Sequence, residues 1–405
     1  MSFFSKAAKF FFSGLLLTSS LSAQLGGEIT GDPAQRAGMA GAGMASAGSI
    51  FDASTNPAVL GLQMRGNRRT IGEFAGRLFW APVSIETLSG ASYRPDGVIG
   101  GGPWIGMADR LDSRWAWSLS LMPTGGGAAN YNRMTELNVA TADPSDPLSG
   151  PALHSVEMST NMMQLALAPS LAWTPRKDLS FGIGASVRYT KLDFLSATDI
   201  ALEDLKGDAS SLGFDTYGDL LDFLFNIQGG RGIDAIQADI AAEAEAAFHS
   251  FAHLGVLWSP TRDSRISAWY RSPSSSKSLD GQVTVDVEAD IGLINALFDI
   301  ENSGSFELSI PDVSFPQQLG FALQQDMNKH FRINADMVWT DWSKAFDGWT
   351  AKVAGSDEGL GVMVGPGGTE VDMGLRWEDT FRVSLGAEYD FFESQHLRDG
   401  NGHLR

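Results

Sequence analysis

Apolar side chains recur at every second position over much of the chain. Phe181, Ile183, Ala185, Val187 and Tyr189 alternate with Gly182, Gly184, Ser186 and Arg188. The same odd-position pattern runs through Phe381, Val383, Leu385, Ala387, Tyr389 and Phe391, and through Trp115, Trp117, Leu119 and Leu121. It returns in Met163, Leu165, Leu167, Leu171 and Trp173, and in Phe331, Ile333, Ala335, Met337 and Trp339. Side chains of a strand point alternately to its two faces, so each run has one apolar face and one small or polar face. Ten strands are predicted, near 70–80, 97–108, 113–122, 157–173, 179–195, 250–259, 264–287, 304–325, 330–342 and 380–392.

A soluble β-sandwich alternates in the same way. Two features favour a membrane. The runs reach the ~9–11 residues that a tilted spanning strand needs. Aromatic residues also crowd the run ends (Trp173, Tyr189, Trp258, Tyr270, Trp339, Trp342), as an interfacial girdle requires. Links such as 174–178 and 259–263 are short, whereas 124–155, 196–248, 288–303 and 343–379 are long. Short turns at one end and long loops at the other are the asymmetry of an outer-membrane barrel. Within the second long loop, residues 232–249 are rich in Ala and Glu. Ile233, Ile236, Ile240 and Ala244 stand there at helical spacing, which predicts a helix. Just before it, Leu220, Leu221, Phe223, Leu224, Phe225 and Ile227 form an apolar patch, which either packs on its neighbours or meets a hydrophobic ligand.

Composition narrows the picture. Lys6 and Lys9 precede the apolar run 10–17 and a small-residue stretch ending at Ala23, the layout of a cleaved secretory signal peptide over residues 1–23. No other segment is apolar for the ~20 residues a spanning helix needs. Cysteine is absent, so neither disulfides nor thiolate chemistry are available. A net charge of −19 argues against a nucleic acid partner. The 46 Gly, 11 Trp and 24 Phe coexist with a mean hydropathy of only −0.06, the average expected when lipid-facing and lumen-facing residues alternate.

Between the leader and the first strand lies a glycine- and alanine-rich stretch, residues 34–49, with Gly38, Gly41 and Gly43. Their spacing departs from a nucleotide-binding G-x-G-x-x-G, no strand precedes them and no P-loop lysine follows. Small residues instead suit a compact plug. The stretch leads to Ser54, Thr55, Asn56, Pro57 and Ala58, an Asn-Pro turn with Pro57 placed to start a short helix.

These residues resemble the N-terminal hatch of the FadL/TodX-type outer-membrane transporters. Three further blocks match that family in order. They are 260–265 with 269–272, then 338–343, then 377–382 running into 385–389. The resemblance implies an all-β, fourteen-stranded transmembrane antiparallel barrel with an N-terminal hatch plug and helical extracellular loops. About ten of those strands are visible here. The domains are then a signal peptide (1–23), a hatch (24–66) and a barrel (67–405), the last expected to be incomplete at its C-terminus because no terminal strand ends the chain.

Function follows from the same resemblance as an expectation. The chain would be a monomer in the outer membrane of a Gram-negative bacterium, placed there by the barrel-assembly machinery among outer-membrane lipid and lipopolysaccharide. It would take up long-chain fatty acids or similar hydrophobic molecules passively. Asn56, Pro57 and Ala58 would gate the hatch, and Leu220, Leu221, Phe223, Leu224 and Phe225 would form the outer binding groove. An aromatic hydrocarbon is the alternative substrate. A lateral opening would release the substrate, but no glycine precedes Pro123 and Gly125 in the third strand to mark where.

Other function classes rank lower. No G-x-S-x-G or H-E-x-x-H motif occurs, no Ser/His pair stands out, and no cofactor or metal is implied. His249 and His253 are four apart, a possible helical metal pair, but they straddle a helix end and a strand start and read as exposed or interfacial histidines. Asp336 and Glu388 read as carboxylates lining a solvated lumen. A lipid hydrolase or an adhesive barrel is the remaining alternative.

Overall fold

The computed structural model describes residues 24–25, 28–29, 34–64, 69–80, 84–86, 92–94, 99–139, 152–228, 232, 234–287, 303–354, 369–372 and 377–389. The leader, the interior of the 288–303 loop and the last residues lie outside these.

Antiparallel strands dominate. The first five are long: β1 (Thr70–Trp80), β2 (Ile99–Arg110), β3 (Trp115–Val139), β4 (Ala152–Arg176) and β5 (Leu179–Ala201). Those that follow are split into halves. They are β6 (Ala235–Ala244) with β7 (Ala247–Trp258), β8 (Ser264–Arg271) with β9 (Lys277–Asp286), and β10 (Ser303–Val313) with β11 (Gln318–Asp326). Next come β12 (Phe331–Thr340) with β13 (Thr350–Val353), and β14 (Thr369–Asp372) with β15 (Thr380–Tyr389). Pro273 and Pro316 sit in two of the breaks, where a residue without an N–H cannot extend a ladder.

Hydrogen bonding joins β1, β2, β3, β4, β5, β7, β8, β11, β12 and β15 in that order, which is a ten-stranded antiparallel wall. The split strands continue it as an upper tier, β5 to β6, β9, β10, β13 and β14. Among the described residues, β1 and β15 are the two ends of the wall.

Facing is inverted relative to a soluble sandwich. On β5, Ile183 is 58% exposed, while Ser186 and Arg188 on the opposite face are nearly fully buried. On β12, Met337 is exposed and Asn334, Asp336 and Thr340 are buried. Apolar outside and polar inside is the arrangement of a barrel wall in lipid. No helix among the described residues is long and apolar enough to cross a membrane.

Several expectations need correction. The described residues of 232–249, which leave out Ile233, contain no helix. They enter β6 and β7, pairing with β5 and β9, and Ile236, Ala238, Ala242 and Ala244 face inward. Helix propensity is a weak prior of a few tenths of a kcal/mol per residue, and two flanking ladders outweigh it. The supposed loop 124–155 is largely strand, because β3 and β4 form one long hairpin. Among its described residues the loop 196–248 keeps helix as short 3-10 turns at Leu202–Asp204 and Ser210–Leu212, then α3 (Tyr217–Asp222) and the wider turn Phe223–Gln228. The loop 343–379 likewise contains β13 and β14.

Candidate functional site

Residues 34–64 lie inside the wall. They comprise α1 (Ala34–Gly38), three short 3-10 turns and α2 (Leu60–Gln63). Their polar ties reach strands all round the lumen. Ser49 Oγ and Ile50 N donate to the Glu73 carboxylate on β1, at 2.6 and 2.9 Å. From β4, Ser170 Oγ donates to Ala53 O at 2.9 Å. Gly43 N and Met44 N donate to the two oxygens of Asp336 on β12, at 2.9 and 3.1 Å. Gln35 Nε2 donates to Glu388 on β15 at 3.1 Å. Asp336 is therefore buried and holds this segment rather than lining solvated space, while Glu388 ties to it from a partly exposed position. Inside it, Arg36 lies 3.6 Å from Asp52. Burial pushes the Asp52 carboxyl up to about 7, against the opposing pull of Arg36 and of the Ser49 amide.

Asn56 is fully buried and has two jobs. Its Oδ1 accepts from Ala58 N at 3.1 Å, capping the turn that Pro57 opens. Its Nδ2 donates to Ser267 Oγ on β8 at 2.6 Å. The wall makes room for this corner with glycine. A Cβ on Gly182 of β5 would strike Pro57 and the Ala58 amide, and one on Gly255 of β7 would strike the Asn56 side chain. Period-two alternation made Gly182 look like any small lumen-facing residue, and only the docked corner explains it.

Above this seat lies a belt of bases and aromatics. The Arg188 guanidinium sits 4.6 Å from the centre of the Phe251 ring and 5.1 Å from that of Phe315, and Arg271 sits 5.1 Å from Phe251. Arg188 also donates to Gln164 Oε1 at 3.5 Å, and Arg271 to Pro316 O at 3.0 Å. His249 stands edge-on to Phe315. Phe251 and Phe315 are the lower part of one apolar cluster that includes Leu220, Leu221 and Phe225, with Leu224 packed on it. Leu220 and Leu221 are therefore buried inside the upper tier, not displayed on a surface groove, and Phe223 is half-buried.

His249 and His253 are buried rather than exposed, both facing inward from β7. His249 Nδ1 meets the Ser275 carbonyl at 3.2 Å, and no metal-binding group of His, Asp or Glu occurs among the described residues. His253 Nε2 is 2.9 Å from Ser186 Oγ, a Ser–His contact that the sequence alone did not reveal. His253 stands opposite Gly184 in the ladder, which lets its ring reach along β5 to Ser186 as an interstrand tie. Hydrolysis of p-nitrophenyl palmitate by the purified protein is expected to stay at background and be unmoved by Ser186→Ala. Turnover abolished by that change would make the pair catalytic.

Besides the unjoined ends β1 and β15, one ladder between neighbouring strands stops early among the described residues. β2 pairs with β3 only up to Ile105 opposite Leu121. Immediately beyond, β3 bulges between Pro123 and Gly125, and Gly126 takes φ +125, a backbone open to glycine alone at little cost. Glu28 of the N-terminal segment pairs with Gly125 at this gap. Because β3 runs on to Val139, Pro123 interrupts the middle of a strand instead of ending one.

Comparison with known proteins agrees with this architecture. Residues 103–402 match the family model described as outer membrane protein transport protein (OMPP1/FadL/TodX). A search of curated proteins by sequence finds no match. Among solved structures, the toluene transporter TbuX of Ralstonia pickettii is similar over 84% of this chain and 78% of its own, at 18% identity and a TM-score of 0.58. The toluene transporter TodX of Pseudomonas putida is similar over 85% and 76%, at 16% identity and 0.57. A FadL homologue of Pseudomonas aeruginosa is similar over 88% and 76%, at 15% identity and 0.53. At these identities the structures speak for the fold alone, while the family match spans most of the sequence. The chain belongs to the OMPP1/FadL/TodX family of outer-membrane transport proteins.

Proposed function

We propose that this protein carries long-chain fatty acids, or amphiphiles like them, passively across the outer membrane. The substrate enters the apolar compartment around Leu220, Leu221, Phe223, Leu224 and Phe225. Its head group comes to the belt of Arg188 and Arg271. Residues 24–66 act as the hatch, with Asn56, Pro57 and Ala58 as its hinge against the wall. The gap beside Pro123 is the lateral exit, and the chain works as a monomer after removal of residues 1–23. Diffusion down a gradient needs no cofactor.

The observation that carries this reading is the pair of buried guanidinium groups packed on Phe251 beneath an apolar cluster. A carboxylate with a long tail uses both features, whereas a neutral hydrocarbon uses only the second. Toluene, the cargo of the transporters TbuX and TodX, is the second reading.

Uptake separates them. Cells lacking their own transporter and expressing this protein are given labelled oleate or labelled toluene. Replacing both arginines (Arg188→Gln with Arg271→Gln) is expected to cut oleate uptake roughly tenfold, a charge-assisted contact being worth ~1.5–3 kcal/mol, and to leave toluene entry unchanged. Asn56→Ala with Pro57→Ala is expected to impair both. Toluene entry without oleate entry, from protein at normal outer-membrane levels, would replace the fatty acid by the hydrocarbon.

A further inference from the structure

A second candidate site lies at the other end of the wall, away from the apolar compartment. Turn 111–114 joins β2 to β3, and turn 177–178 joins β4 to β5. The two turns are neighbours, tied by Thr174 N donating to Arg114 O at 2.7 Å. Between them and the end of α2 is an open cavity of about 420 Å³. Arg110, Arg114, Arg176 and Lys177 line it, with Asp112 as the single acid on its walls. In a chain of net charge −19, four cations against one carboxylate is a strong local reversal.

The acid is already engaged. Asp112 Oδ1 accepts from Arg114 N at 2.6 Å and from Trp115 N at 2.9 Å, so it shapes the turn. Arg176 meets Asp178 at 2.9 Å, but both side chains are largely in solvent, where such a pair is weak. Arg110 donates to Met64 O at 3.4 Å, which ties the cavity wall to the end of the N-terminal segment.

The cavity also has an aromatic edge. Trp115 belongs to its lining, is exposed on the lipid side, and stacks on Trp173 at 6.2 Å between ring centres. Trp173 in turn stacks on Phe181 at 6.0 Å. Exposed indole rings at strand ends mark the level of the lipid headgroups. Short turns mark the periplasmic end of a bacterial barrel. Cationic side chains at headgroup depth, opening beside an indole shelf, match a phosphate whose acyl chains run up the wall.

We infer that this cavity binds the phosphate headgroup of an anionic phospholipid of the inner leaflet. The lipid bridges turn 111–114 to turn 177–178 and thereby steadies the floor on which α2 rests. The chemistry recognised is a phosphate monoanion held by guanidinium and ammonium groups, and the shelf of Trp115 and Trp173 is what distinguishes a lipid from a free ion.

Native mass spectrometry of the delipidated full chain in detergent tests this. Phosphatidylglycerol and phosphatidylcholine are added in equal amounts. The protein is expected to retain phosphatidylglycerol about tenfold over phosphatidylcholine. The triple change Arg114→Gln, Arg176→Gln, Lys177→Gln is expected to erase that preference, with heat-modifiable gel mobility confirming a folded wall. Arg262→Gln with Lys329→Gln, on other short turns, is the control and is expected to keep it. An undiminished phosphatidylglycerol preference in the triple variant, or loss of that preference in the control, would overturn the site. Displacement of the bound lipid by 10 mM inorganic phosphate would assign the cavity to a free anion instead.

Discussion

Gly182→Val is expected to force the Asn56–Pro57–Ala58 corner out of its seat. A side chain at 182 must occupy the space now held by Pro57 and the Ala58 amide, with the β5 ladder behind it unable to retreat. Overpacking an interior costs ~1–3 kcal/mol, which shifts a docked-to-undocked balance roughly ten- to a hundredfold. Trypsin reads the shift at Arg36, which is buried when the segment is docked. Cleavage of the folded purified protein should accelerate by that factor. Gly72→Val is the control, since nothing lies near a side chain at that position. Unchanged cleavage in a correctly folded Gly182→Val protein would mean the corner has room to spare and is not held by this notch.

The second large effect is expected from Asp336→Ala. The Asp336 carboxylate accepts from two successive amides, Gly43 and Met44, in a buried place. Each stranded donor costs ~1–3 kcal/mol. Hydrogen exchange at those amides is then expected to speed up by on the order of a hundredfold, a loss of roughly 3 kcal/mol in local protection. Asp336→Asn, which keeps one acceptor oxygen, should fall between. Global stability should move less, because removing a buried carboxylate also removes its desolvation cost. Exchange that stays at the starting rate in Asp336→Ala would show that the 43–44 backbone has another acceptor. Either result bears directly on whether residues 34–64 can leave the lumen as a unit.

The fold was legible because a barrel strand writes its two environments into alternate residues. Phe181, Ile183 and Val187 met lipid and Ser186 and Arg188 met the lumen, so period and facing could be read without any partner strand. The four blocks in order pointed to the family, and the family match later covered three of them. Residues 232–249 failed for the opposite reason. Alanine and glutamate favour a helix in isolation, and Ile236, Ile240 and Ala244 fit a helical face as well as a strand face. The pairing with β5 and β9 decided the matter.

The candidate site was less legible. Asn56, Pro57 and Ala58 stood out as a turn, but their receptor, Gly182, Gly255 and Ser267, lies on three strands remote in sequence. Arg188, Phe251 and Arg271 likewise meet only because β5, β7 and β8 are adjacent. For Leu220 and Leu221 the sequence left packing and ligand contact both open, and the cluster they join lies in the upper tier. Alternation, export layout and family blocks are local properties, and each is carried by a few neighbouring residues. Which carboxylate clamps the N-terminal segment, where the wall parts, and what lies over Arg188 depend on register between distant strands. Register is set by the whole ladder at once, since a slip of one residue would turn every side chain to the other face.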